Sequence, residues 1–232
     1  MKSLAIDSSS IISLAVNNLL WILEPLKKQF QGDFYITDSV KQEVITKPLA
    51  SKRFKLEALT IKEILDENIL SLYQSTELRQ ESLRLLAIAN NIFKSKNENI
   101  KILDLAEVEC LALAIILNSD ALIVDERTIR LLVEDPYKLS KLLKKKLGKD
   151  VKIDTKNLKE FNLKMKKINI LRSSELIIAA YELKILDKYI TNKGFHPELK
   201  KDLLDGALWA VKLHGCSITD DEIEEILLHY YK

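Results

Sequence analysis

Between Leu4 and Val16 the chain changes from one kind of element to another within a few residues. Leu4, Ala5 and Ile6 form an unbroken apolar run, the pattern of a strand buried on both faces. Asp7, Ser8, Ser9 and Ser10 follow, and Ile11, Ile12, Leu14, Ala15 and Val16 then recur at helical spacing. Strand, carboxylate and helix in that order open a parallel α/β sheet, whose ligands collect at the carboxyl ends of the strands. Asp7 is therefore either a site residue or the cap of the first helix.

The pattern returns later. Ala121-Leu122-Ile123-Val124 is a second continuous apolar run that ends in Asp125 and Glu126 before a new helix. A charge at the end of a wholly apolar strand needs a partner. Between the two lies a helix from Val108 to Leu117 that is apolar almost all round and so buried. It opens on Asp104-Leu105-Ala106-Glu107, which has the form of a capping box. Phe34 to Thr37 reads as another short strand. Asp38 or Ser39 is expected to cap the helix after it, with Glu43 on its first turns. The first helix is expected to run from Ser10 to about Phe30 and to break at Pro25. Residues 50–96 read as mostly helical, with Leu83, Leu85, Leu86, Ile88, Ala89, Ile92 and Phe93 on one apolar face. Leu59 to Ile61 or Ile69 to Leu72 offers an edge strand, Lys94 to Asn99 reads as a polar loop, and Ile168 to Leu171 returns the chain to the sheet.

Composition narrows the chemistry. Five Gly and four Pro among 232 residues argue against disorder and against a glycine-rich phosphate loop. Cys110 and Cys216 form no Cys-x-x-Cys pair, which suits a reducing cytoplasm. No apolar run reaches the ~18 residues of a membrane span, and no signal peptide is read at the N-terminus. His196, His214 and His229 have no metal-ligand spacing. Trp21 and Trp209 lie in core-type patterns.

The charge is uneven. Residues 135–172 carry 13 Lys and Arg against 4 Asp and Glu, leaving 23 against 30 in the rest. The segment also holds apolar residues at helical spacing, so it reads as folded helices with a basic outer face. Such a face can grip phosphates without reading sequence, or dock on the acidic remainder of a second copy. The expected division is a core over residues 1–134, a basic helical insertion over 135–172, and C-terminal helices over 173–232 packing on the core. The fold class is α/β, three layers around a short, mostly parallel sheet.

Asp7, Glu43, Glu107 and Asp125 all fall at strand ends or first turns of helices on the same predicted edge. Carboxylates brought together repel unless a cation compensates. Oxygen ligands of this kind suit Mg2+ or Mn2+, and a divalent ion so held can activate water for in-line attack at phosphorus.

These residues resemble the PIN-domain nucleases. The matching stretches are Leu4 to Ser9, Ile36 to Val44, Ala106 to Ala114 and Leu122 to Arg127, so the likeness covers residues 1–45 and 102–132, and 170–228 loosely. The resemblance implies a metal-dependent endoribonuclease whose ordered acids map onto Asp7, Glu43, Glu107 and Asp125. The family often has Asp-Asp at the fourth stretch, and Asp125-Glu126 leaves either residue open as the ligand. Ala106 replaces the usual Gly before the third acid, and Ser9 fits a common Ser or Thr. The resemblance also implies an RNA substrate and, for toxin-type members, a small antitoxin partner. A zinc-ribbon subtype lacks its cysteines here. Two rival readings differ in class. One is a phosphatase with Asp7 as nucleophile, disfavoured by Ser9 where a second Asp belongs. The other is a non-catalytic RNA- or protein-binding module that keeps the PIN fold.

Overall fold

The computed structural model describes residues 2–190 and 197–231. Its centre is a five-stranded sheet in which every pairing is parallel. β1 (Ser3–Ile6) is buried along its whole length, as its unbroken apolar run requires. Helix α1 (Ser8–Val16) leaves it, and a three-residue 3-10 turn at Leu20–Ile22 leads into α2 (Leu23–Phe30). The two helical arms meet at 113°. The expected break at Pro25 is corrected: the chain turns before it, where Asn18 takes a positive φ of 54°. Pro25 sits in the first turn of α2, where its missing N–H costs nothing.

β2 (Asp33–Ile36) alternates half-buried and buried residues. Gly32 precedes it because a Cβ there would stand 2.6 Å from the Lys2 carbonyl oxygen. Helix α3 (Asp38–Lys41) runs on through a π-helical stretch at Gln42–Thr46 into α4 (Lys47–Leu49). Its cap is Thr37, one residue earlier than expected, with a hydroxyl that accepts from the Val40 N–H at 3.2 Å. After α5 (Lys55–Asp66), which takes in Leu59 to Ile61, comes β3 (Ser71–Leu72), an edge strand at the second of the two places expected. Helix α6 (Thr76–Ala89) buries Leu78, Ser82, Leu85 and Ala89, while Leu83, expected on its inner face, is exposed.

The stretch read as a polar loop is a hairpin. β4 (Phe93–Ser95) and β5 (Glu98–Asn99) pair antiparallel. Lys96 and Asn97 between them both have positive φ, 49° and 68°, which is the mirror-image turn that suits tight hairpins. Sequence reasoning missed it because Lys at that position carries no turn signal. Helix α7 (Leu105–Leu117) follows, with the predicted capping box formed in full between Asp104 and Glu107. β6 (Ala121–Ile123) then enters the sheet beside β1.

The basic stretch lies inside a crossover from β6 back to the sheet. It begins just after α8 (Arg127–Glu134) and contains α9 (Pro136–Leu147), β7 (Lys152–Ile153), α10 (Thr155–Met165) and β8 (Asn169–Leu171). β8 pairs with β6, as its apolar pattern suggested. β7 instead joins the hairpin to make a small antiparallel sheet, ordered β5-β4-β7. Leu139, Leu158, Phe161 and Met165 are buried in the same hydrophobic cluster as β1, so the basic segment is anchored by its apolar side. Helix α11 (Ser173–Glu182), a 3-10 turn at Ile185–Tyr189, α12 (Pro197–Leu213) and α13 (Asp220–Tyr230) close the chain. Arg172 ties α11 to α13 by pairing with both Glu175 (2.6 Å) and Glu222 (3.1 Å). Trp21 and Trp209 pack against the core. His196 lies outside the described residues. Among the described residues, no single helix is long and apolar enough to cross a membrane.

The strand order β3-β2-β1-β6-β8 reverses direction at β1. The connections from β1 to β2 and from β2 to β3 step toward one edge of the sheet, and those into β6 and β8 toward the other. A crevice at the carboxyl end of β1 and β6 is the expected consequence.

Candidate acidic site

That crevice exists. It is a cleft of about 270 Å³ lined by Asp7, Ser8, Ser9, Ile12, Val40, Glu43, Asp104, Ala106, Glu107, Glu126 and Ile129. Five of these are carboxylates and none is a base.

Most of the acids are held there by helix starts. Asp7 is buried and caps α1: the Ser9 N–H donates to its Oδ2 at 3.0 Å, and the Ser9 hydroxyl donates to the same oxygen at 2.6 Å. The Cys110 thiol donates to its other oxygen, Oδ1, at 3.4 Å. Burial and the neighbouring Asp7 carboxylate push that thiol well up, so it stays a protonated donor. Asp104 caps α7, accepting from the Glu107 N–H at 3.0 Å, and Glu107 accepts from the Asp104 N–H at 2.6 Å. Glu126 caps α8, accepting from the Ile129 N–H at 2.9 Å. Glu43 stands exposed on the π-helical stretch, a distortion that often accompanies functional positions.

Three helix N-termini thus meet at the cleft. Each is equivalent to about half a positive charge, which three together fall short of five carboxylates. The shortfall is visible at Glu107: burial first, then the carboxylates of Asp104, Glu126 and Asp7, push its carboxyl up against the opposing pull of the Asp104 N–H.

Of the four acids expected at the site, the structure brings Asp7, Glu43 and Glu107 together. Asp125 is elsewhere. It is fully buried, with Oδ1 accepting from the Ser173 N–H and Oδ2 from the Ser173 hydroxyl, both at 2.7 Å. Successive side chains on an extended chain point to opposite sides, so Asp125 faces α11 and Glu126 faces the cleft. The partner that a buried strand-end charge requires is therefore Ser173. Ser9 couples the two strand ends, since its hydroxyl accepts from the Asp125 N–H at 3.0 Å while donating to Asp7. Cys110 was not anticipated at the site. Its signal is its place three residues after Glu107, on the same face of α7.

The donor set fits a hard divalent cation. Glu107 and Glu126 each spend one oxygen on a cap and leave the other without a hydrogen bond among the described residues. Also among the described residues, no three His, Cys, Asp or Glu side chains already stand close enough to hold a metal ion. Mg2+ needs no such cage, because it keeps several waters and uses one or two carboxylates directly.

No family model, curated protein or solved structure gives a significant match to the chain.

Proposed function

We propose that the protein is a metal-dependent endoribonuclease and that the cleft between α1, α7 and α8 is its active site. The observation that carries this reading is the set of five carboxylates around one cleft without a lining base, at the switch point of a parallel sheet. Asp7, Glu43, Glu107 and Glu126 are the proposed metal-binding residues, with Glu126 in the place first assigned to Asp125. A bound Mg2+ or Mn2+ would supply charge neutralisation and an activated water for in-line displacement at phosphorus.

The chain's own residues have separable tasks. Ser9 and Cys110 fix both oxygens of Asp7 and so set its orientation. The Asp104–Glu107 box holds Glu107 at the mouth of α7. The N-termini of α1, α7 and α8 offset part of the negative charge of the five carboxylates, and a bound cation would supply the positive charge that an incoming phosphate requires. Ser9 stands where a phosphatase with a nucleophilic Asp7 would carry its second Asp, and here it serves instead as a hydrogen-bond donor to Asp7.

A second reading rests on the caps themselves. Asp7, Asp104, Glu107 and Glu126 each already serve a helix N-terminus, as acids would in a non-catalytic RNA- or protein-binding module. Calorimetric titration with Mn2+, followed by cleavage of a labelled single-stranded RNA in Mn2+ or in chelator, separates the two. The nuclease reading expects metal binding and cleavage only with metal. No heat of binding at millimolar Mn2+ together with no cleavage supports the inert module.

A further inference from the structure

We infer that the small antiparallel sheet is a docking site for the phosphate backbone of a single RNA strand leading away from the acidic cleft. The inference takes its ligand class from the nuclease reading, and its location from a second cavity. This cavity, of about 610 Å³, is lined by Lys94, Lys96, Asn97, Gly148, Lys149, Asp150 and Lys152. Two parts of the chain distant in sequence build it, the β4–β5 hairpin and the turn between α9 and β7.

Its charge is concentrated beyond what folding alone would favour. Lys94 and Lys152 are register partners on adjacent antiparallel strands, where like charges repel. Lys96 sits at the hairpin turn with a positive φ of 49°, a conformation that Gly, Asn or Asp adopt at lower cost. Of the acids beside them, Asp154 pairs with Lys94 at 2.8 Å and Asp150 with Lys144 at 2.6 Å, and Glu98 stands exposed on β5. Lys96, Lys149 and Lys152 are exposed and take part in no ion pair among the described residues. They form a cation set awaiting an anion. A cavity of about 610 Å³ has room for the backbone of one strand.

Its position suits a strand threading from the cleft. Asn99 faces Lys94 across the hairpin, and five residue steps from Asn99 reach Asp104 at the cleft. At ~3.8 Å per step that is at most about 19 Å, or about 25 Å with the hairpin crossing added. At a helical rise of 3.4 Å this is no more than about seven nucleotides. Asn90 holds the connection in place: its Oδ1 accepts from the N–H groups of Ile102 (2.8 Å) and Leu103 (3.0 Å), and its Nδ2 donates to the Leu103 carbonyl (2.9 Å).

The test is fluorescence anisotropy of a labelled oligouridylate of about twelve nucleotides, with the full chain in chelator so that no cleavage occurs. The triple substitution Lys96→Ala, Lys149→Ala and Lys152→Ala is expected to weaken binding at least about tenfold. It is also expected to reduce the slope of log K against log salt by about 2, the value for three phosphate contacts on a single strand. A control triple in the same basic segment but outside the cavity, Lys159→Ala, Lys166→Ala and Lys167→Ala, is expected to weaken binding less than about threefold. Equal losses from the two triples would overturn the inference, as would absent binding by the unaltered protein or equal displacement by polyglutamate. If the unaltered protein binds RNA through these lysines but does not cut it in Mn2+, the nuclease reading fails and the docking site stands. If cleavage occurs but the first triple binds normally, the reverse holds.

Discussion

Asp125 and Ser173 are closed on each other: both oxygens of the buried carboxylate accept from Ser173, one from its N–H and one from its hydroxyl, each at 2.7 Å. The pair joins the end of β6 to the start of α11, and it removes Asp125 from the acidic cleft. Hydrogen bonds to a charged group contribute about 1.5–3 kcal/mol, more when their loss strands a buried partner. Ser173→Ala is therefore expected to destabilise the protein by about 2–3 kcal/mol in urea unfolding, while Mn2+ affinity of the folded protein stays within about twofold.

Glu107 should show the opposite balance of stability and function. Its carboxyl is pushed up by burial and by Asp104, Glu126 and Asp7, so its ionised form opposes folding. Gln retains the hydrogen bonding of the N3 position in a capping box. Glu107→Gln is expected to raise the melting temperature of metal-free protein at pH 7 by about 1–3 °C. The same substitution should lower Mn2+-dependent cleavage at least about tenfold.

The pH dependence follows with its sign. A folded-state pKa above the unfolded value means that protonation of Glu107 favours the fold. This contribution is complete below the ordinary glutamate range and is lost as pH rises through the raised pKa. Chemical unfolding of metal-free protein from pH 4 to 7 should therefore show a smaller loss of stability with rising pH in Glu107→Gln than in the unaltered protein. Mn2+ affinity should rise over the same interval, because the metal competes with that proton.

Metal binding should itself stabilise the protein. A ligand that binds only the native state adds RT ln(1 + [L]/Kd), about 2.7 kcal/mol at a hundredfold excess over Kd. The melting temperature is expected to climb with Mn2+ concentration in the unaltered protein and in Ser173→Ala, and to stay flat in Asp7→Asn.

Much of this arrangement is written plainly in the chain. Continuous apolar runs marked β1 and β6, and a charge at the end of each marked the sheet edge. The Asp104–Glu107 box was legible as local spacing and formed as read. What escaped was set by tertiary context. Whether Asp125 or Glu126 faces the cleft depends on where α11 lands, and only the fold puts Ser173 beneath Asp125. The hairpin at Lys96 and Asn97 uses left-handed backbone at a residue that gives no such hint. The turn ahead of α2 was assigned to Pro25, where proline is harmless, instead of to Asn18.

The most direct test of the central claim is the single-turnover rate of single-stranded RNA cleavage in Mn2+, compared between the unaltered protein and Asp7→Asn. Asn keeps the shape of the α1 cap but removes the charge most enclosed by the cleft. A metal-dependent nuclease at this site predicts cleavage by the unaltered protein and a rate at least about a hundredfold lower in the variant, with both equally folded. Equal rates in the two proteins, or no cleavage by either, would contradict the account.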